Sequence, residues 1–307
     1  MKRALVVGYG SIGMRHARIL EELGLDVSVV SRRRVEHPRA YGALGQALAE
    51  WRPDYVVVAS RTHEHLGDIS ALAASGYDGI VLVEKPLFAR AFEIPPHRFK
   101  HAYVAYNLRF HPVLQALRDH LAETRPFALY IACGSHLPSW RPQVDYRRGY
   151  SASTDQGGGV LRDLSHEIDY VLWMTGGWEN VAATGGHLSQ LEIDSDDVFA
   201  LLMTTAKVRL VTITLDYVDT RPRREIRAMT PAGTFCADLL AGTLSLGPET
   251  LMRSAVERDD TYRAQHRAVL SGDSEHLCTL PQGLDVVALI DAAERAATTR
   301  TWTTRPH

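Results

Sequence analysis

The sequence is poor in cysteine and has no long apolar run. Its three cysteines, Cys133, Cys236 and Cys278, lie far apart, and no pair has the spacing of a zinc or redox motif. That usage is typical of a protein kept reduced in the cytoplasm. The opening MKRALVVGYG has too short an apolar stretch for a signal peptide, and no run reaches the roughly 18 apolar residues of a membrane helix. We therefore expect a cytoplasmic protein without a membrane segment.

A charge excess of one sign is missing as well. The 34 basic and 36 acidic side chains leave a formal net charge of −2, which does not favour a nucleic-acid partner. The hydrophobic share of 45% and the charged share of 23% indicate a globular chain rather than a disordered one. A length of 307 residues is enough for two domains.

The N-terminus carries a glycine-rich turn between two apolar runs. Ala4 to Val7 precedes the turn GYGSIG, and a helical stretch and a second apolar run, Val27 to Val30, follow it. A GxGxxG between a strand and a helix predicts a dinucleotide site, since glycines allow a tight turn and a close approach of the pyrophosphate. Amides at the helix N-terminus would face the phosphates. The expected cofactor contacts are Gly8, Gly10, Ser11, Ile12 and Gly13.

The end of the second strand bears on the choice between NAD and NADP. An acidic residue there would bind the ribose hydroxyls of NAD, whereas a guanidinium group suits the 2′-phosphate of NADP. The strand ends in Ser31, Arg32 and Arg33. We therefore expect NADP in preference to NAD, with a solvated arginine run on a surface loop as the alternative.

Two further apolar runs, Tyr55 to Ala59 and Ile80 to Val83, flank a helical segment from Glu64 to Ala74. Strands separated by helices predict a parallel, doubly wound sheet, whose ligands bind at the carboxyl ends of the strands. A lysine held in a cleft at such an end can act as an acid or a base. The polar residues expected at these ends are Ser60, Thr62 and His65 after one strand, and Glu84 and Lys85 after the next.

The second half of the chain has a different pattern. Short strand-like runs joined by tight links predict an antiparallel sheet. A periodic apolar helix is predicted from Leu284 to Ala296, and three acids, Asp194, Asp196 and Asp197, read as a solvated loop rather than a metal site. The expected boundaries are a Rossmann domain over residues 1–122 and an α/β domain over 123–307. The predicted strands are Phe199 to Thr204, Arg209 to Leu215, Arg224 to Met229, Thr234 to Leu239 and Thr243 to Leu246.

The segment GGGVLRDLSHEID, residues 157–169, leads from three glycines into a predicted helix. Leu161, Leu164, Ile168 and Leu172 fall at helical spacing and form one apolar stripe. Four polar residues lie on the opposite side, which predicts a polar face turned toward a cleft, with solvent as the alternative. These residues are Asp163, His166, Glu167 and Tyr170.

Together these motifs resemble the Gfo/Idh/MocA oxidoreductases, the family of glucose-fructose oxidoreductase and inositol dehydrogenase. Within that family, they are most similar to the branch found in surface-polysaccharide and nonulosonic-acid pathways. The resemblance rests on GYGSIGMRHARIL, SRTHEH, VLVEKPL, YNLRFHP, LPSWRPQVDYR and GGGVLRDLSHEIDYVLW. It implies a Rossmann domain followed by an α/β domain with a large, open, mainly antiparallel sheet, through whose exposed face homodimers or homotetramers form. Lys85 would match the active-site lysine and Asp163 the aspartate after the triple glycine. The family's histidine lies four residues after that aspartate, where this chain has Glu167; His166 lies three after.

The resemblance implies hydride transfer between NAD(P) and a secondary alcohol or ketone carbon of a sugar, inositol or nucleotide sugar. Lys85 and His166 are the candidate acid–base groups, with Asp163 orienting them and Glu167 held in reserve. No metal is expected. Two alternatives stay open: a redox-neutral epimerase or glycosidase-like enzyme that uses bound nicotinamide transiently, and a non-catalytic dinucleotide-binding regulator. Besides the catalytic groups, the candidate substrate contacts are Asn107, Arg109, Trp140, Tyr146 and Arg147.

Overall fold

The computed structural model describes residues 2–306 and divides into two compact units. The first unit joins Met1–Asn107 with a later segment, Asp259–Leu284, and the second joins Leu108–Arg258 with Asp285–His307. The predicted division at residue 122 is therefore wrong in two respects. The N-terminal part of the first unit ends near residue 107. The first unit also includes the later segment Asp259–Leu284, which the sequence patterns assigned to the second unit.

Both units mix helices with strands. The strands are β1 (Arg3–Val7), β2 (Asp26–Val30), β3 (Ala40–Tyr41), β4 (Tyr55–Val58), β5 (Ile80–Val83), β6 (His101–Val104), β7 (Ala128–Gly134), β8 (Asn180–Gly186), β9 (Val198–Thr204), β10 (Val211–Asp216), β11 (Arg223–Thr230), β12 (Gly233–Asp238), β13 (Thr243–Leu246), β14 (Glu249–Arg253), β15 (Cys278–Thr279) and β16 (Thr303–Thr304). The helices are α1 (Ser11–Glu22), α2 (Leu44–Trp51), α3 (His65–Ala74), α4 (Pro112–Glu123), α5 (Val160–Asp163), α6 (Ser165–Thr175), α7 (Asp260–Ser271) and α8 (Leu280–Thr299). Within residues 2–306, no helix combines the length and apolar character that crossing a membrane requires.

The sheet of the first unit is the predicted doubly wound one. Its seven strands run in the order β15-β6-β5-β4-β1-β2-β3. All neighbours pair in parallel except β15, which pairs antiparallel with β6. The central strands are continuous apolar runs because helices bury both faces of such a sheet. The carboxyl ends of β1, β4 and β5 therefore come to one edge, where the glycine turn and Lys85 follow their strands.

The second unit carries the predicted large, mainly antiparallel sheet. Its nine strands run in the order β14-β13-β12-β11-β7-β10-β9-β8-β16. The β7–β10 pair is parallel and the other pairs are antiparallel. All five predicted strands are present. Strands β7, β8, β14 and β16 were not predicted; β8 ends in two glycines and β16 has two residues, so neither gives a strong alternating pattern.

The helix predicted after the triple glycine is broken into two. Helix α5 ends at Asp163, and Leu164 adopts φ −96° and ψ 29° before α6 begins at Ser165. The expectation of one helix with an apolar and a polar face is also wrong, since Asp163, Glu167 and Tyr170 are buried along with the leucines. His166 is half-buried and is the least covered side chain of this stretch.

Candidate active site

The glycine turn of the first unit has the geometry of a phosphate cradle. Gly8 adopts φ +92°, and a Cβ there would collide with the backbone of Ala59 and Ser60. A Cβ on Gly13 would collide with the carbonyl oxygen of Gly8. At Gly10, by contrast, a Cβ would meet no atom within 4 Å. Gly8 and Gly13 thus let the turn close and pack, whereas Gly10 leaves space in front of the backbone that suits a pyrophosphate.

Helix α1 begins directly behind this space. Gly10 is its N-cap and supplies no side-chain hydrogen bond to the first turn, which also lacks acidic residues. The positive end of the helix dipole therefore faces the turn without a carboxylate of its own to offset it. The residues present fit a dinucleotide phosphate at this point.

The end of β2 is already hydrogen-bonded and ion-paired. The Ser31 hydroxyl donates to the carbonyl oxygen of Arg33 at 2.9 Å and accepts from its backbone N–H at 3.2 Å. Arg32 forms an ion pair with Glu64 of the turn after β4. Although burial alone would raise it, the pKa of Glu64 lies below its ordinary value because Arg32 stabilises the carboxylate. An anionic ligand of Arg32 would have to compete with Glu64.

The polar residues after β4 brace the backbone. Ser60 donates to the Asp68 carboxylate at 2.5 Å. The buried His65 places Nδ1 3.1 Å from the carbonyl oxygens of Pro86 and Leu87, and Nε2 3.2 Å from that of Ser60. Burial lowers the pKa of His65. His65 thus ties the loops after β4 and β5 together, and its prediction as a direct cofactor contact is not supported. Thr62 opens a short 3-10 turn and is half-buried.

Glu84 lies beneath Lys85 rather than at the surface. Its carboxylate accepts from the backbone N–H of Lys85 at 3.0 Å and contacts Nε2 of His16 at 2.8 Å. Burial raises the pKa of Glu84, but His16 and Lys85 outweigh burial and leave the pKa below its ordinary value. Glu84 is 7% exposed, so the expected cofactor contact is replaced by a role in holding Lys85, which is itself half-buried before a cis Pro86.

In the second unit, Asp163 is paired with a tyrosine that sequence analysis missed. The Tyr217 hydroxyl donates to Oδ2 of Asp163 at 2.6 Å. Burial, with the neighbouring Asp163, raises the pKa of Tyr217 well above its ordinary value, so it remains a donor. The Trp140 ring packs edge-on against Tyr217 with centroids 5.2 Å apart. Trp140 is 38% exposed and presents an aromatic ring beside this acid.

The three acids before β9 are structural acceptors. Asp196 accepts from the N–H of Leu161 at 3.0 Å and its carbonyl accepts from Val160 at 2.9 Å. Gly159, at φ +114°, has no room for a Cβ because the Asp196 carboxylate packs against it. Asp194 accepts from Thr154 N–H, and the buried Asp197 accepts from Leu188 and Ser189. The prediction of a solvated loop is therefore wrong for Asp196 and Asp197, whereas Asp194 is exposed. In the part of the chain that is described, no three His, Cys, Asp or Glu side chains converge as metal ligands do.

Glu167, the reserve for His166, is engaged elsewhere. It is fully buried, and Oε1 lies 2.8 Å from Nε of Arg224 on β11. The Tyr170 hydroxyl is 3.5 Å from the same oxygen. Breaking this buried ion pair would leave an unpaired charge in the protein interior, which costs several kcal/mol. Glu167 therefore serves the packing of α6 on the sheet, and His166 remains the candidate.

The other predicted substrate contacts fall into two groups. Arg109 is 2% exposed and grips Asp169 with Nε and Nη2 at 2.9 and 2.7 Å. Its prediction as a substrate contact is not supported, because the guanidinium already neutralises a buried acid. The buried Asn107 donates to Thr261 at 2.6 Å. Tyr146 is half-buried and Arg147 is exposed but paired with Asp145 and Glu192.

Sequence reasoning missed a buried polar group around Glu84 altogether. His16 and His266 are fully buried in the first unit and lie in contact with each other. His16 falls on the inner face of α1 beside Ala17 and Leu20, and a polar residue at a core position of the predicted helix was the available signal. His266 comes from α7, in a segment that was assigned to the wrong unit, so no local pattern could pair the two.

Comparison with known proteins agrees with the resemblance of the sequence. Residues 129–235 match the family model of the GFO/IDH/MocA C-terminal domain. The match covers the core of the second unit's sheet from β7 to β12. No curated protein matches the chain significantly.

Solved structures match along the whole chain. GenD2 from gentamicin A biosynthesis, in complex with NAD, is 23% identical with a TM-score of 0.81, covering 100% of this chain and 97% of that one. WlbA from Bordetella pertussis, in complex with NADH and UDP-GlcNAcA, is 19% identical with a TM-score of 0.79 and full coverage of both chains. The UDP-N-acetylglucosamine 3-dehydrogenase GnnA from Acidithiobacillus ferrooxidans is 21% identical with a TM-score of 0.78, covering 97% and 98%. These similarities show that the chain has the fold of this group.

Proposed function

We propose that this chain, whose residues 129–235 carry a GFO/IDH/MocA C-terminal domain, is an NAD(P)-dependent oxidoreductase. It would transfer a hydride between the nicotinamide and a secondary alcohol or ketone carbon of a sugar or nucleotide sugar. The observation that carries the proposal is the turn at Gly10, open in front of the backbone while Gly8 and Gly13 close it. The comparisons support the substrate class, because WlbA is a dehydrogenase solved with UDP-GlcNAcA and GnnA is by name a UDP-N-acetylglucosamine 3-dehydrogenase.

The cofactor, when bound, accepts or supplies the hydride, and the protein binds, orients and moves the proton. The turn at Gly8, Gly10 and Gly13, with Ser11 and Ile12 at the start of α1, would hold the phosphates. Lys85 would donate a hydrogen bond or a proton to the reacting oxygen. His166 is the second candidate for proton transfer, since an imidazole titrates near neutral pH.

The pair formed by Asp163 and Tyr217 would orient the groups that meet the sugar. Asp163 is buried and held by the Tyr217 hydroxyl at 2.6 Å, so its second oxygen has a fixed direction. Trp140 offers an exposed ring for the apolar face of a sugar. Asn107 and Tyr146 are kept as weaker candidates, because the Asn107 amide is bound by Thr261 and the Tyr146 hydroxyl accepts from Glu192 N–H at 3.3 Å.

The test follows nicotinamide absorbance with a panel of free sugars, inositols and UDP-linked sugars, supplied with NAD and NADP in parallel. We expect turnover with at least one of them and its loss in the Lys85→Ala, His166→Ala double variant. Wild-type rates in that variant would refute the assigned groups. Product formation without a net absorbance change would indicate a redox-neutral enzyme, and dinucleotide binding without any turnover would indicate a regulator.

The finer preference for NADP rests on Ser31, Arg32 and Arg33 at the end of β2. Arg32 would have to leave Glu64 to grip a 2′-phosphate. We expect Arg32→Ala to weaken NADP binding about tenfold or more and NAD binding little, which titration of cofactor fluorescence measures. Equal loss for both cofactors, or a preference of the wild type for NAD, would refute the preference.

A cytoplasmic homodimer or homotetramer is proposed in addition. One face of the second sheet is not covered by the described residues of this chain. On its central strands every second side chain is partly exposed, including Tyr130, Leu202 and Arg227. An open sheet face can pack against the same face of a second copy of the chain. Light scattering after size-exclusion chromatography measures the state, and a monomer at micromolar concentration would refute this part.

A further inference from the structure

Four polar side chains of the first unit form a continuous buried line that ends beneath Lys85. The Tyr55 hydroxyl of β4 lies 2.9 Å from Nδ1 of His266, and Nε2 of His266 lies 2.8 Å from Nδ1 of His16. Nε2 of His16 lies 2.8 Å from Oε1 of Glu84, whose other oxygen accepts from the Lys85 N–H at 3.0 Å. Tyr55, His266 and His16 are all 0% exposed. Three separate elements, β4, α7 and α1, supply these groups.

The two ends of this line have defined protonation states. Glu84 is ionised, because the hydrogen bonds from His16 and from the Lys85 N–H, together with the charge of Lys85, offset the cost of burial. Burial raises the pKa of Tyr55 well above its ordinary value, so Tyr55 carries its proton. Burial lowers the pKa of His266 well below its ordinary value, so this ring is neutral. Only the protonation of His16 is left to be decided by the hydrogen bonds.

One arrangement satisfies every group. Tyr55 donates to Nδ1 of His266, the Nε2–H of His266 donates to Nδ1 of His16, and the Nε2–H of His16 donates to Glu84. His16 is neutral in this arrangement. If His16 were a cation, its Nδ1–H would force His266 to carry its proton on Nδ1 and to donate to Tyr55. The Tyr55 proton would then lack an acceptor, since residues 2–306 give this hydroxyl no partner other than His266, and a buried donor without a partner is costly.

The other ionisable groups around these four side chains do not change the protonation states assigned above. His65 of α3 interacts with Glu84 electrostatically, but burial lowers its pKa. Tyr262 of α7 packs edge-on against His16, and Arg15 of α1 lies over the Tyr262 ring. Lys85 is therefore the cation adjacent to Glu84 whose charge the carboxylate has to meet.

We propose that Tyr55, His266 and His16 form a positioning relay that keeps His16 neutral and so reserves the full charge of Glu84 for Lys85. Glu84 then fixes the Lys85 backbone through its N–H and holds the ammonium group charged as a donor to the reacting oxygen. A cationic His16 would cancel the charge of Glu84 and remove this support. The role of Lys85 in turnover rests on the function proposed above; the relay itself does not.

The protonation states are tested without any substrate. The full-length protein labelled with ¹⁵N-histidine is recorded from pH 7 to 9, and His16→Gln and His266→Gln provide the assignments. We expect both rings to show a protonated Nε2 and an unprotonated Nδ1 over this range. A His16 ring protonated on both nitrogens at pH 8 would overturn the relay.

The effect on Lys85 is tested by reductive methylation with ¹³C-formaldehyde, which suits a chain with four lysines, Lys2, Lys85, Lys100 and Lys207. We expect Glu84→Gln to move the titration midpoint of the Lys85 signal to lower pH by about one unit, since it removes the adjacent negative charge. His16→Leu and His16→Gln should leave the midpoint near its wild-type value, since a neutral His16 contributes no charge, whereas loss of a cationic His16 would move it to higher pH. His111→Leu, another buried histidine that caps α4, is the matched control for general damage.

The kinetic counterpart uses the sugar on which the wild type turns over. His16→Leu should lower kcat about tenfold or more with unchanged cofactor affinity, and His16→Gln should recover most of that loss. A Lys85 signal unmoved in Glu84→Gln, moved to higher pH in His16→Leu, or moved by His111→Leu as much as by Glu84→Gln refutes the relay whether or not turnover is found. Absence of turnover with a moved Lys85 signal refutes the proposed function alone and leaves the relay supported.

Discussion

At the scale of single residues, the polar groups of this protein divide by burial rather than by residue type. Lys85 and His166 are half-buried, whereas Glu84, Glu167 and Arg109 are inside and hold other groups. Buried charges are nearly always paired, so burial decides which of several ionisable residues in one motif is available to a ligand. Burial cannot be read from a motif. Sequence analysis therefore predicted Lys85 and Glu84 both as cofactor contacts, and His166 and Glu167 both as candidates for proton transfer.

Gly10 and Gly13 of the turn should respond differently to one added methyl group. Gly10→Ala meets no atom within 4 Å, so the fold should persist while dinucleotide binding weakens about tenfold or more. Gly13→Ala puts a methyl group against the Gly8 carbonyl and should lower the free energy of unfolding by several kcal/mol. Urea unfolding and cofactor fluorescence separate the two effects. Equal loss of stability in both variants would contradict this account of the turn.

The hydroxyl of Tyr217 should matter to turnover rather than to folding alone. Tyr217→Phe keeps the ring packed against Trp140 but removes the donor to Asp163. We expect kcat to fall about 10- to 100-fold with a small change in the affinity for the cofactor. Tyr170→Phe, which alters another buried tyrosine hydroxyl of the same unit, is the control, and an equal loss of rate there would contradict a specific role.

At the scale of elements, the segment from the triple glycine to α5 depends on a loop far along the chain. Asp196 packs against Gly159 and accepts from Leu161, so it takes the place of an N-cap residue that the glycines cannot provide. The position of Asp163 at the end of α5 therefore rests on an acid 33 residues away that sequence reading took for a solvated one.

The same carboxylate gives a testable pH dependence. Burial raises the pKa of Asp196 to about 6, above the roughly 3.9 of an unfolded aspartate. The folded state thus binds the proton more tightly, and stability falls as pH rises from about 4 to about 6, by on the order of 2–3 kcal/mol from this group. Asp196→Asn keeps an acceptor and should lose that part of the slope, gaining relative to the wild type at pH 7. Urea unfolding at pH 4, 5, 6 and 7 measures it, with the exposed Asp194→Asn as the control; parallel curves for Asp196→Asn and the wild type would contradict it.

Sequence patterns captured the elements whose periodicity is local and lost those that depend on distant partners. The runs at Val27 and Tyr55 are rich in valine because β2 and β4 lie inside a parallel sheet, and both were found. The break at Leu164 was not, because the buried acids on both sides of it have distant partners: Tyr217 donates a hydrogen bond to Asp163, and Arg224 forms an ion pair with Glu167, each more than 50 residues later. The glycine turn and Lys85 could be placed from sequence, whereas Tyr217, His16 and Asp196 required the fold.

At the scale of the whole molecule, the first unit is discontinuous in sequence. Helix α7 and strand β15 return to it after the second unit has been completed. They bring His266 against His16 and pair Cys278 with Val104 at the sheet edge. A nucleotide-binding unit that ended at residue 122 would therefore lack part of its own core.

Fragments of the chain test this directly. Residues 1–122 alone should fail to fold cooperatively, because removing α7 exposes the buried faces of His16 and Tyr55. A second fragment, residues 1–107 joined by a short Gly/Ser linker to 259–284, should fold and bind dinucleotide. The linker can be short because the Asn107 amide lies 2.6 Å from the Thr261 hydroxyl, so the two ends are adjacent. Circular dichroism during thermal unfolding and cofactor fluorescence distinguish the fragments. Cooperative unfolding of residues 1–122 with full cofactor affinity would contradict this account. It would show that the first unit keeps its core without residues 259–284 and so does not need the contacts that His266 supplies.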